Sequence, residues 1–233
     1  MLGLGIGINR NNKGKAFQGV YPILKSGLIA WWDFEDVLDD VHHKHNLALN
    51  SYGEVGFSTG ILTTQGLLTA STGTKYAGLN SIYLLPGNVK TWAGWIKIPI
   101  VTVDQVPLAM SADNSVNQAF LSITEEGKLS IIIHSTPSTP TIQLSNDTWY
   151  FVVVTFDGVS QWRLKVNTEA WITLNASLTL PESNFQMNFG YHIGTGVAID
   201  GSFDSWGVWD YILSDTEITS LYNGGVGKQY STL

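Results

Sequence analysis

The sequence predicts an all-β fold, two antiparallel sheets packed as a sandwich, with one short helix near the C-terminus. Three observations predict it. Short apolar runs separated by turn residues recur along the chain from residue 28 onward. Aromatic residues that suit strands are plentiful, with nine Trp, nine Tyr and nine Phe, and 24 Gly are available for tight turns. One stretch alone, Ser214 to Asn223, combines helical spacing with signals for both a start and a stop.

The first strand is read at Ile29-Ala30-Trp31-Trp32-Asp33-Phe34, apolar on both faces as between two layers. Thr91 to Ile98 places Trp92, Ile96 and Ile98 on one face and Ala93, Trp95 and Lys97 on the other. Ala119 to Thr124 and Leu129 to His134 flank Glu125-Glu126-Gly127-Lys128, a hairpin turn. Trp149 to Phe156 is again apolar on both faces and stops at Asp157-Gly158. Trp162, Leu164 and Val166 then alternate with Arg163, Lys165 and Asn167, which predicts a half-exposed strand. Trp171 to Leu174 and Phe185 to Ile193 continue the pattern, and Asp200 to Trp209 is an alternating final strand.

The helix follows at once. Ser214 and Glu217 have the spacing of a capping box, in which each side chain satisfies the other's backbone N–H. Ile218, Leu221 and Tyr222 share one face, and Asn223-Gly224-Gly225 supplies a left-handed stop. No internal repeat divides the chain, and Pro137-Ser138-Thr139-Pro140 reads as a loop rather than a linker. Residues 1–26 read as an N-terminal arm, flexible or docking on another subunit, because Gly alternates with Leu or Ile before a polar stretch. Residues 27–233 form one domain.

Composition removes several functions. No cysteine is present, so disulfides and thiolate chemistry are excluded. The net charge of −7 makes nucleic acid an unfavourable partner. No apolar run reaches the roughly 18–20 residues that span a bilayer. The start, Met1-Leu2-Gly3-Leu4-Gly5-Ile6-Gly7, lacks the basic region, unbroken apolar stretch and cleavage site of a signal peptide.

Four segments in order resemble the concanavalin A-like lectin/glucanase superfamily, specifically its laminin G-like jelly-roll branch. They are Gly27 to Asp36, Thr91 to Lys97, Trp149 to Gly158 with Leu164 to Asn167, and Phe203 to Asn223. The likeness covers about residues 27–230. It implies a two-sheet jelly roll with one concave sheet, on which lectins, adhesion modules, glycosidases and viral coat parts are all built. The ending, Leu221 to Tyr230, is similar to the close of such domains in bacteriophage virion proteins.

Laminarinase-type members of the superfamily use a Glu-x-Asp-x-x-Glu strand that aligns two carboxylates for acid and nucleophile. This chain has no such run, and its densest acidic stretch, Asp33 to Asp40, leaves a strand for a loop. Calcium-binding relatives place oxygen ligands in the loop after the first strand and a second Asp on the closing strand. By position, Asp40 and Asp204 match these, and calcium is the one cofactor implied. The loop itself reads Asp40-Val41-His42-His43-Lys44-His45-Asn46, which has lost the small oxygen-rich residues, and Asp204 alternatively anchors it by hydrogen bonding. His42 and His45 have a transition-metal spacing but no cysteine to complete a site. For sugars, Trp162, Trp171, Tyr191 and Trp209 are the candidate stacking rings, against the alternative that each fills the sandwich.

The resulting expectation is a non-catalytic virion structural or surface protein, such as a capsid decoration, spike or tail component. Its arm docks on other virion subunits in a multi-copy assembly, and its lectin-like domain faces host glycans. The alternatives are an extracellular carbohydrate-binding or adhesion module and a glycoside hydrolase.

Overall fold

A computed structural model describes residues 24–35, 37–49, 56–62, 66–69, 77–79, 85–86, 88–101, 105–110, 118–178, 187–192 and 197–233. Most of the N-terminal arm, residues 1–23, lies outside them.

Two eight-stranded antiparallel sheets face each other. The first runs β14 (Ile172–Asn175), β13 (Gln161–Val166), β12 (Thr148–Phe156), β6 (Thr91–Ile98), β18 (Gly201–Trp209), β4 (Gly66–Thr69) and β3 (Gly56–Ser58), with β1 (Leu28–Trp32) also on β18. The second runs β10 (Thr136–Pro137), β9 (Lys128–Ile133), β8 (Ala119–Ile123), β7 (Gln105–Ala109), β15 (Asn188–Phe189), β5 (Ala77–Leu79) and β2 (Leu47–Leu49), with β11 (Ile142–Gln143) on β9. A separate pair, β16 (Tyr191–His192) and β17 (Val197–Ala198), stands beside them. The predicted two-sheet sandwich with one C-terminal helix is what the chain forms.

Between the sheets lies the main core, which holds Trp32, Trp92, Ile96, Leu121, Ile131, Val152, Val154, Trp162, Phe189, Phe203 and Trp206. A second core lies on the outer face of the first sheet, where Trp31, Trp95, Phe151, Val153 and Trp209 are covered by Leu24, Leu213 and helix α1 (Asp215–Tyr222) through Ile218 and Leu221. This double burial explains why β6 and β12 are apolar on both faces. Beyond the helix, β13 exposes Arg163 and Lys165 outward while Trp162, Leu164 and Val166 point inward, as its alternation predicts.

The final strand departs from simple alternation. The register of β18 on β6 shifts between Asp204 and Gly207, where two residues oppose Gly94, and Ser205 has φ +47°. This bulge resets the phase of the strand, so Phe203, Trp206 and Val208 enter the main core and Trp209 enters the second. The helix begins as predicted: Ser214 accepts from the Glu217 amide while Glu217 accepts from the Ser214 amide, and Asn223 ends it in the left-handed region.

Smaller differences lie at element ends. Within the predicted strand over Phe185 to Ile193, the described residues form two short pieces separated by Gly190 at φ +78°, a conformation that favours glycine. His134, expected within a strand, sits in a turn at φ +48°. Part of the Pro137 loop pairs with β9.

Candidate functional site

A surface cleft of about 460 Å³ opens where β11 of the second sheet meets β12 and the β13–β14 hairpin of the first. Its lining is Thr141, Ile142, Gln143, Tyr150, Val166, Asn167, Glu169 and Ala170. Local chemistry holds each wall. Asn167 takes a left-handed conformation, φ +50°, which turns β13 toward β14. Its N–H donates to the Phe151 carbonyl at 2.8 Å, and its Oδ1 accepts from the Phe151 N–H at 2.9 Å. The hairpin tightens again where the Glu169 N–H donates to the Val166 carbonyl.

Across the cleft, the Tyr150 hydroxyl accepts from the Ser145 N–H at 2.8 Å, which leaves its proton to donate elsewhere. Gln143 donates to the carbonyls of Glu126, Gly127 and Leu144, fixing β11 to the β8–β9 turn. The cleft therefore combines a small apolar floor (Ile142, Val166, Ala170) with hydroxyl, amide and carboxylate groups, a mixture suited to a polyhydroxylated ligand. Trp171 follows Ala170 directly. Its half-buried ring carries the Arg163 guanidinium 4.0 Å from its centroid and Lys165 Nζ at 5.3 Å, and its Nε1 donates to Asp215 Oδ1 at 3.1 Å.

Sequence reasoning reached Trp171 but not the cleft. Tyr150, Asn167 and Glu169 come from the first sheet and Gln143 from β11 of the second, and no local spacing links them. Of the other candidate rings, Trp162 and Trp209 must be corrected: both are completely buried. Trp162 is stacked between Phe156, 4.2 Å away, and Trp92, 5.8 Å away. Trp209 packs edge-on to Trp31 and donates its Nε1 proton to the Leu24 carbonyl at 2.7 Å. Neither offers a face to a sugar. The side chain of Tyr191 lies outside the described residues.

The carboxylates Asp40 and Asp204 are both buried and both bind backbone. Asp40 Oδ1 accepts from the Trp31 N–H at 2.9 Å, and its Oδ2 from the Lys44 and His45 N–H groups at 3.1 and 3.3 Å. Asp204 Oδ2 accepts from the Ile61 and Leu62 N–H groups at 2.8 and 3.1 Å, and its Oδ1 from the Ser205 hydroxyl at 3.0 Å. Burial pushes the Asp204 pKa up to about 6, with Glu35 adding repulsion and the three hydrogen bonds opposing the rise. A calcium shell needs outward-facing oxygens, whereas N–H donors surround these, so the donor set fits loop anchoring better than a cation. Among the described residues, no group of three or more His, Cys, Asp or Glu is placed to hold a metal ion. In the histidine loop, His42 Nε2 and the Tyr230 hydroxyl are 3.0 Å apart, and His43 Nδ1 lies 3.5 Å from Asp39.

A family model, Laminin_G_3, described as concanavalin A-like lectin/glucanases superfamily, matches residues 71–219. No curated protein sequence matches. Among solved structures, domain 4 of AbnA, a GH43 extracellular arabinanase from Geobacillus stearothermophilus, in complex with arabinotriose, is similar with a TM-score of 0.65 at 12% identity, over 86% of this chain and 98% of that one. The binding domain of botulinum neurotoxin serotype D is similar with a TM-score of 0.63 at 17% identity, over 85% of this chain and 51% of that one. A Trypanosoma rangeli sialidase mutant displaying trans-sialidase activity gives 0.63 at 16% identity, over 88% of this chain and 34% of that one. The chain thus spans about half of the neurotoxin domain and a third of the sialidase, and at these identities the likeness carries the fold.

Proposed function

Because the chain belongs to the Laminin_G_3 family of the concanavalin A-like lectin/glucanases superfamily, we propose that it is a non-catalytic recognition protein whose cleft beside the β13–β14 hairpin binds glycans. The observation that carries this reading is the cleft itself, which joins Tyr150, Asn167 and Glu169 to an apolar floor. Sugar hydroxyls need such donors and acceptors, and sugar faces need apolar or aromatic surface. Two of the similar structures support the class: one is a domain solved with arabinotriose, the other a receptor-binding domain.

The non-catalytic reading rests on the carboxylates. Glycoside hydrolysis by the usual route needs two across the scissile bond. Among the described residues, the cleft lining supplies one, Glu169. Asp40 and Asp204 are spent on backbone N–H groups, and Asp157 accepts from the N–H groups of Val159, Ser160 and Gln161.

The proposed setting is the surface of a virion, in many copies. Its support is the apolar, glycine-alternating segment Leu2 to Ile8, patterned as a docking arm, and the phage-like ending from Leu221 to Tyr230. The test is a glycan array probed with the intact chain, followed by mass analysis of the retained glycan. Retention without cleavage, weakened by the double variant Tyr150→Phe/Glu169→Gln, is expected. Cleaved products, or no retention on any glycan, would contradict the reading.

A further inference from the structure

Among the described residues, the cleft lining holds one charged side chain, Glu169, beside the neutral polar groups of Thr141, Gln143, Tyr150 and Asn167. Glu169 is exposed, and its carboxylate forms no ion pair or hydrogen bond among the described residues. The cations of the same region are taken up elsewhere. Lys128, the strand partner of Gln143, lies 2.6 Å from Glu126. Arg163 and Lys165 project from the outer face of β13, against the ring of Trp171.

The neutral groups of the lining are partly spent within the protein. Asn167 uses its Oδ1 on the Phe151 N–H, which leaves its Nδ2 to donate. The Tyr150 hydroxyl accepts from the Ser145 N–H and keeps its own proton to donate. Gln143 has its amide N–H groups on three backbone carbonyls and retains Oε1 as an acceptor. These unspent groups suit sugar hydroxyls, while the full charge that a ligand meets is negative. An ammonium group beside Glu169 gains a charge-assisted hydrogen bond. A ligand carboxylate there meets repulsion, with no cation in the described lining to offset it. The net charge of −7 acts in the same direction at longer range.

We infer that Glu169 is the specificity-determining residue of the cleft and selects glycans that bear a free amine, the amino sugars, with ring hydroxyls on Asn167 and Tyr150. This rests on the glycan-binding reading and names its substrate class. Because Glu169 is exposed, the preference it confers is a few-fold and falls as salt is raised.

The experiment measures binding of the intact chain to a β-1,4-linked glucosamine tetramer and to cellotetraose, which carries a hydroxyl wherever the other carries an amine. Both are measured at about pH 6, between the ordinary carboxylate and amine values. The wild type should bind the amine about fivefold more tightly, the upper end for an exposed ion pair. E169Q should bind the two equally. D39N, which removes the same charge from the loop after β1, should keep the preference and so separates Glu169 from the general field of the chain. Equal binding by the wild type, a preference that survives in E169Q, or one that D39N also abolishes would overturn the assignment. So would failure to bind either tetramer. Where another glycan is still retained on the array, the cleft then stands as a glycan site without amine selection; where none is retained, both readings fall.

Discussion

The backbone of Gly94 on β6 lies directly against the indole of Trp206 on β18. A Cβ added at Gly94 would stand 2.3 Å from two ring atoms of Trp206, well inside contact distance. The contact exists because the bulge at Ser205 turns Trp206 inward, where its Nε1 donates to the Trp95 carbonyl at 2.9 Å. The centre of the first sheet is thus built around a glycine that leaves room for a tryptophan. Gly94→Ala should destabilise the fold by about 3 kcal/mol, the upper range for overpacking a tight core. Chemical denaturation measures it, and a loss under 1 kcal/mol would mean that the ring yields easily.

Asp204 makes stability depend on pH in an unusual direction. Its folded pKa, raised to about 6, exceeds the ordinary 3.8 of the unfolded chain. Between those values the folded state holds a proton that the unfolded state has released. Stability therefore falls as pH rises from about 4 to about 6 and levels off above, with a total change of about 2–3 kcal/mol. Asp204→Asn keeps the shape without the charge and should flatten that slope. Melting temperatures of both proteins from pH 4.5 to 7 give the answer; a parallel slope in the variant would assign it to another group.

Helix α1 closes the second core, so its cap and its buried face should both matter. Ser214→Ala should cost about 1 kcal/mol through loss of the capping box. Leu221→Ala should cost about 2–4 kcal/mol, because Leu221 packs in the layer that holds Trp95, Phe151 and Trp209. The two effects, read by denaturation, should be nearly additive, since one acts at the start of the helix and the other in its last turn.

Two tryptophans nine residues apart should behave oppositely. Trp162→Ala removes a fully buried ring stacked on Phe156 and should cost about 3–5 kcal/mol. Trp171→Ala should cost about 1 kcal/mol, because its ring is half-buried, and should leave glycan retention on the array unchanged, because the ring packs on the outer face of the first sheet and the cleft residues Tyr150 and Val166 on the inner. Loss of retention by a folded Trp171→Ala protein would place the ring in the site.

Periodicity made much of this fold legible. The two-faced apolar pattern of β6 and β12, the alternation of β13 and the Ser214–Glu217 box all read directly, because each is a local preference that the tertiary structure keeps. The bulge at Ser205 did not read. One extra residue changes which face Trp209 occupies, and nothing in Ser-Trp-Gly marks the shift. Trp162 and Trp209 became candidates for sugar stacking for the same reason, since sequence gives a ring's chemistry but not its cover. The cleft was least legible of all, because Gln143 and Asn167 line one cleft only once the two sheets are packed together.

The central claim is that ligands enter at the β13–β14 hairpin. It is tested most directly by nuclear magnetic resonance, titrating the intact chain with the glycan best retained on the array. The backbone amides of Asn167, Glu169 and Ala170 should shift together with one saturating curve, while the Nε1 protons of the buried Trp162 and Trp209 stay in place. Saturable shifts that leave Asn167 and Glu169 unmoved would contradict this placement.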